Sequence, residues 1–227
     1  MKELNELFEK LGIVPKHVAL YEQAFTHSSY NADANTKHHD YERLEFLGDA
    51  VIDCVMGEMV FVARPDLDQG PLTKLRAALV STQGLSEMSR KLGLYEYIRL
   101  GNSFSGDIKQ ANHILEDVFE SFIGAMYLDQ GYAKTRGFLA NLFIDLVKNF
   151  DVDSLTDYKS KLQEEIQSEH RESVVYELVE ESGPAHDRTY KIRVLFDGIE
   201  MGVGVGKTKQ QAEQMAAKEA LEKEARQ

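Results

Sequence analysis

Four carboxylates recur at helical spacing in one short stretch: Glu42, Glu45, Asp49 and Asp53. With Glu42 set at zero and a step of about 100° per residue, the other three fall at roughly 300°, 340° and 20°. They therefore share one narrow stripe of a helix. Leu44, Leu47, Ala50, Val51, Ile52 and Val55 fill the rest of the circumference, so most of this helix should be buried. Like charges at i,i+3 and i,i+4 repel, and carrying them toward a core costs more unless something positive pairs with them. Arg43 is the one basic residue between Tyr41 and Asp53, and it points away from the stripe. A bound cation resolves the conflict, and carboxylate oxygens suit hard Mg²⁺ or Mn²⁺. The plainer alternative is a solvated acidic face. The apolar flanks weigh against it, as does Gly48, a poor helix former inside the pattern.

One helix does not close a cation shell. In the segment Ile114–Asp129, Asp117 and Glu120 again stand i,i+3 on one face, among Val118, Phe119, Phe122, Ile123 and Ala125. Two helices packed through these faces would bring Glu45, Asp49, Asp117 and Glu120 together, with Gly48 and Gly124 allowing close approach. Such a cluster, with water in the open positions, matches Mg²⁺-assisted phosphodiester hydrolysis.

The elements that must position these residues follow from the rest of the chain. At 227 residues and 43% apolar composition there is room for two compact domains. Residues 1–150 read as mainly helical: a helix ended by Gly12, a second starting at Pro15, and the acidic helix with Asp40 as its N-cap and Pro65 as its stop. One or two helices follow over 72–92, stopped by Gly93. Residues 26–39 and 94–108 read as turns and loop, and helices return over 112–128 and 132–150. Residues 151–157 are polar and acidic, a linker. Beyond it comes an α-β-β-β-α order: helix 159–169, strands 174–180, 189–197 and 199–205, helix 207–226, with a hairpin turn at Asp197-Gly198. The expected fold is an all-α domain over 1–150, then a small α+β domain over 158–227.

Composition sets limits on function. The lone Cys54, within an apolar run, excludes a disulfide framework and fits a reducing compartment. There is no apolar run of membrane-spanning length and no signal pattern, so the expectation is a cytoplasmic protein with no membrane partner. The net charge is −12. Residues 1–150 hold 15 Lys and Arg against 21 Asp and Glu, net −6, and residues 151–227 hold 11 against 17, also −6. Binding to nucleic acid must then rest on local patches and metal ions rather than on a basic surface.

Glu42-Arg-Leu-Glu-Phe-Leu-Gly-Asp49 resembles the signature motif of the ribonuclease III family. The resemblance extends to Ala24-Phe-Thr-His27, to Ile114–Ala125 and to Tyr127-Leu-Asp129. The last third resembles a double-stranded RNA-binding domain through Asp157-Tyr-Lys-Ser-Lys-Leu-Gln-Glu164, Gly183-Pro-Ala-His186 and Thr208–Ala217. Together these cover nearly the whole chain. The resemblance implies a Mg²⁺-dependent endonuclease, with Mn²⁺ able to substitute. Its substrate would be double-stranded RNA in structured rRNA and mRNA precursors, and its products would carry 5′-phosphate and 3′-hydroxyl ends. It implies a homodimer with two centres, each cutting one strand. By motif position Glu45, Asp49, Asp117 and Glu120 hold the metal, with Asp49 and Glu120 indispensable. Glu42 lies near the site or the dimer seam, and Phe46 resembles the aromatic that enters the partner subunit. Phe46 falls beside the carboxylate stripe rather than on the buried arc, although by residue type alone it reads as core.

The same resemblance assigns minor-groove contacts to Ser160, Gln163 and Glu164, a second minor-groove contact to His186, and phosphate contacts to Lys207 and Lys209. Two positions depart from the family pattern. Gln69 stands where a Glu is common, which bears on a second metal, and Gln210 stands where a second Lys often follows the first. The rival readings are a duplex-binding protein that does not cut, favoured by Gln69, and a phosphohydrolase of small nucleotides, which leaves the last third without a role.

Overall fold

Apolar residues at helical spacing organise the first part of the chain into eight α-helices among the described residues. These are α1 (Leu4–Leu11), α2 (Val18–Ala24), α3 (Tyr30–Asp33), α4 (Glu42–Ala63), α5 (Gln69–Leu79), α6 (Thr82–Leu92), α7 (Asn112–Gln130) and α8 (Tyr132–Asn149). The computed structural model describes residues 3–33, 38–151, 157–170, 173–184 and 187–224. They group into two compact units, Met1–Leu155 and Thr156–Gln227. The expected linker lies almost wholly outside the described residues.

Local chemistry sets the helix ends. Gly12 and Gly93 adopt left-handed φ of 65° and 75° and close α1 and α6, a conformation that glycine takes without steric cost. The 72–92 stretch divides in two because the Ser81 side chain accepts from Gly84 N at 3.2 Å and starts α6. Asp40 does not cap α4. The cap position is Tyr41, and the Asp40 carbonyl instead accepts from Gln23 Nε2. The region expected to be turns holds the short α3, and the 94–108 loop carries 3-10 turns at Leu94–Tyr97 and Ile108–Gln110. Cys54 is exposed rather than buried in its apolar run.

The core of this unit forms around α4 and α7. Leu44, Val51, Ile52, Val55 and Met56 of α4 are buried with Leu115, Val118, Phe119, Phe122 and Ile123 of α7. Phe122 meets the rings of Tyr21, Phe25 and Phe138 at 5.9–6.0 Å. The far end of α7 is tied down by Asp129, which accepts from Lys16 N, His17 N and the Tyr21 hydroxyl at 2.7–3.1 Å. Asp129 is therefore a buried acceptor with its partners satisfied, as a buried carboxylate must be.

The two central helices touch through backbone. A Cβ at Gly48 would lie 1.7 Å from the Glu120 carbonyl oxygen, and one at Gly124 would lie 2.2 Å from the Leu44 carbonyl oxygen. Neither neighbour is a flexible side chain. This crossing sets the distance between Asp49, one residue after Gly48, and Glu120.

The second unit runs α9 (Tyr158–His170), β1 (Val175–Ser182), β2 (Thr189–Phe196), β3 (Ile199–Gly206) and α10 (Lys209–Glu224). The strands form one antiparallel sheet in the order β1-β2-β3. Asp197 and Gly198 take φ of 47° and 73°, the two left-handed positions that a tight hairpin needs. On β3, Gly202 and Gly204 admit the backbone of α10, where Ala212, Ala216 and Ala220 are buried. Leu162 and Ile166 of α9 and Val194 of β2 complete the small core.

Gly48→Ala isolates the crossing. Helix propensity alone would favour alanine by about 1 kcal/mol. The clash with backbone should reverse that sign and destabilise the fold by roughly 1–3 kcal/mol or more. Urea unfolding of the two proteins decides, and a gain in stability would mean that the helices are not in contact here.

Candidate functional site

The crossing of α4 and α7 gathers the carboxylates. Glu45 and Asp49 come from the first two turns of α4, and Asp117 and Glu120 from the middle of α7. Glu45, Asp117 and Glu120 are half-buried, and Asp49 is exposed. Burial first, then repulsion from Asp117, Glu42, Glu116 and Asp49, pushes the Glu45 carboxyl up to about 7. Burial, then Asp49, Glu116, Glu45 and Asp117, pushes Glu120 up to about 8. Asp117 is also raised by burial, against a hydrogen bond from Tyr41 and the nearby rings of His113 and His27. The four carboxyls thus lie within electrostatic reach of one another. Among the described residues no Lys or Arg forms an ion pair with any of them.

Among the described residues no three or more His, Cys, Asp or Glu side chains are closed up as a finished metal cage. The donor chemistry fits a hard divalent cation: only carboxylate oxygen from four side chains, with Glu45, Asp117 and Glu120 raised first by burial. Such a site could place a metal-held water beside a phosphodiester.

The other residues expected to act are found in varied settings. Glu42 is exposed at the start of α4 and acts electrostatically on Glu45. Phe46 is 80% exposed and so is not a core residue. Asp53, the last of the acidic stripe, lies apart from the four and faces Arg76 at 3.9 Å. Gln69 is the first residue of α5, exposed, with its carbonyl accepting from Thr73 Oγ1. Two groups escaped the reading of the sequence. Glu116 adds its charge to the cluster and pairs with His113 at 3.6 Å. Tyr41 donates to Asp117 Oδ2 at 2.9 Å. Glu116 lies next to Asp117 in an acidic pair that could have flagged it, whereas Tyr41 carries no local signal.

On the second unit, Lys159, Ser160, Gln163, Glu164, Val174 and Tyr176 line an open depression of about 390 Å³. Asp157 caps α9 by accepting from Ser160 N and Oγ at 3.1 and 2.7 Å. Hydrogen bonds from the Gln214 side chain and from Ser160 hold the Asp157 carboxyl down at about 2. Gln163 accepts from Val174 N, and Glu164 is exposed. Lys209 lies 5.9 Å from the Tyr190 ring, at the start of α10. Lys207 is not free, since its Nζ pairs with Asp187 at 2.6 Å. Both members of that pair are exposed, so the exchange of Asp187 for a phosphate costs little. His186 and Ala185 lie outside the described residues.

Residues 17–147 match a family model described as Ribonuclease-III-like, and residues 158–224 match the double-stranded RNA binding motif. The chain is similar to Ribonuclease 3 of Streptococcus gordonii, 43% identical over 99% of this chain and 98% of that protein. It is also similar to Ribonuclease 3 of Bacillus cereus, 42% identical over 98% of this chain and 92% of that protein. The nuclease domain of ribonuclease III from Campylobacter jejuni superposes with a TM-score of 0.58 at 33% identity, over 66% of this chain and all of that one. A second structure of that domain, described for its flexible region involved in dimer formation, gives 0.57 at 34% identity over 65% of this chain and 99% of that one.

The raised carboxyls have a measurable consequence. Folded Glu45 and Glu120 keep protons that the unfolded chain has released, so unfolding releases protons and these groups lower stability as pH rises from about 4.5 to about 8. In metal-free protein, Glu120→Gln should therefore gain melting temperature relative to wild type as pH rises across that interval. Added Mn²⁺ should stabilise wild type most at the upper end, where binding displaces fewest protons. Parallel melting curves for the two proteins from pH 5 to pH 8 would contradict the buried, mutually repelling arrangement.

Proposed function

The chain belongs to the ribonuclease III family and is an endonuclease of double-stranded RNA, and on that premise we propose that Glu45, Asp49, Asp117 and Glu120 hold the Mg²⁺ it needs, or Mn²⁺ in its place. The observation that carries this reading is the backbone crossing at Gly48 and Gly124, which gathers two carboxylates from each helix without a basic partner. When bound, a divalent ion polarises a phosphoryl oxygen, lowers the pKa of its water and offsets charge on the leaving oxygen. The chain's own part is to hold the ion at the crossing and to line the site with groups that do not compete with it. Asp49 and Glu120, one from each helix, are the indispensable pair. The unneutralised carboxylates also repel an RNA backbone, so metal and substrate should favour each other's binding.

The second unit holds the duplex by its shape. Ser160, Gln163 and Glu164 on α9 meet a minor groove, and Lys207 and Lys209 at the start of α10 meet the phosphates beside it; by motif position a second minor-groove contact is assigned to His186. The start of α10 adds its own backbone N–H groups to that contact. The unit is acidic overall, so its hold on RNA is modest and sensitive to salt. The substrates in this reading are structured rRNA and mRNA precursors, cut in the cytoplasm to 5′-phosphate and 3′-hydroxyl ends.

A homodimer belongs to the same reading. An aromatic ring left 80% exposed at Phe46 forgoes the roughly 1.5–3 kcal/mol that burial would supply. Glu42 lies one turn before it. Insertion of Phe46 into a partner would cover it, and the protein should then sediment at twice its 25.7 kDa.

The test is a long RNA duplex incubated with the full-length protein, with and without Mg²⁺. Cleavage should require the metal. Asp49→Asn and Glu120→Gln keep side-chain shape and remove charge. Each should slow cleavage by more than ~100-fold, beyond the range for a residue that only supports a ligand, while duplex binding persists. Binding without cleavage by the wild type under all metal conditions would favour the non-cutting reading suggested by Gln69.

A further inference from the structure

We infer that Tyr41 is a positioning residue for the metal centre, fixing Asp117 through its hydroxyl and the start of the Glu45-bearing helix through its carbonyl. This rests on the assignment of Asp117 and Glu45 as metal-holding groups. Tyr41 occupies the cap position of α4, where small polar side chains are favoured because they bond the free N–H groups. It makes no such bond, and its backbone is already in the helical region at φ −79° and ψ −15°. The hydroxyl instead reaches across to α7 and donates to Asp117 Oδ2 at 2.9 Å, between residues 76 apart in sequence.

The residue is held from several sides. Its backbone N–H donates to the Thr26 carbonyl at 3.0 Å. Its ring lies against the edge of His27, with centroids 5.6 Å apart at 70°. His27 is fixed in turn, by a 2.7 Å contact of Nδ1 with Ser29 Oγ and by its backbone bond to Arg99. The Tyr41 carbonyl accepts from Leu44 N and Glu45 N at 2.8 and 2.9 Å, which fixes the first turn of α4. One residue thus couples the two helices that carry the carboxylates, its main-chain carbonyl holding α4 and its buried side chain reaching α7.

The chemistry of the donor matters. A phenol has a single proton to give, so it engages one oxygen of Asp117 and does not occupy the other. It is also neutral. A Lys or Arg in its place would orient the carboxylate equally well but would bring a positive charge that competes with the metal. A neutral, immobilised donor orients a metal-holding carboxylate without neutralising it.

Tyr41→Phe removes the hydroxyl and keeps the ring against His27. Mn²⁺ binding to the full-length protein without RNA, measured by titration calorimetry or electron paramagnetic resonance, should weaken roughly 10–100-fold. The Mg²⁺ concentration for half-maximal cleavage should rise in step, with the plateau rate recovering toward wild type at saturating metal. The double variant with Asp117→Asn should bind Mn²⁺ no worse than Asp117→Asn alone, because the hydroxyl acts through that carboxylate. Unchanged Mn²⁺ affinity in Tyr41→Phe would overturn the inference, as would a loss that adds in full to that of Asp117→Asn, the mark of general loosening. If Asp117→Asn itself keeps wild-type Mn²⁺ affinity, the ligand assignment fails first and the role of Tyr41 with it.

Discussion

Everything in the catalytic unit depends on two helices meeting backbone to backbone. At Gly48 and Gly124 even a methyl group would stand within 2.2 Å of a carbonyl oxygen on the other helix. Such a contact has little lateral freedom, because interiors pack near crystal density and do not deform smoothly. Sliding α4 along α7 by one turn would drive Leu44 or Ile52, which share the face of Gly48, into the Glu120 backbone. The crossing therefore fixes the register of the helices and hence the placement of Glu45 and Asp49 opposite Asp117 and Glu120. The other helices bury the remaining faces of this pair: α2 brings Tyr21 against Phe122, and α8 brings Phe143 against Phe119.

The same crossing works against stability. It places half-buried carboxylates among their own kind, and Glu45 and Glu120 answer by holding protons to about 7 and about 8. A structure selected only for stability would place a lysine or arginine there, as the exposed end of α4 does where Glu58 meets Arg136 at 2.8 Å. In the proposed reading a cation bound at the site would relieve this repulsion and stabilise the fold by its own binding free energy. Functional sites are where such local conflicts are expected to persist.

Much of this was legible in the sequence because it is local. Helical spacing revealed the acidic stripe, the apolar flanks and the two glycines, and Asp197-Gly198 revealed the hairpin. What escaped needs distant residues. Tyr41 carries no sign of its role until α7 is placed beside it. Asp40 has the right chemistry for a cap, but α4 begins after Tyr41. Phe46 has the composition of a core residue and the position of a surface one. Periodicity placed it correctly and residue type did not, because hydrophobicity does not distinguish a core from a docking surface. Lys207 looked like a free phosphate contact because its pairing with Asp187 crosses 20 residues and a turn. The extent of α5 and α6 depended on one serine side chain, and most of the proposed linker and His186 fall outside what the structure describes.

The central claim is that the crossing of α4 and α7 is a divalent-metal site. Crystals of the full-length protein grown with Mn²⁺, with diffraction recorded at the manganese edge, test it most directly. An anomalous peak is expected between α4 and α7, about 2.1 Å from carboxylate oxygens of residues on both helices, with water completing the shell. Asp49 and Glu120 should be among those residues. Manganese ordered only elsewhere on the molecule, with these carboxylates unliganded, would contradict it.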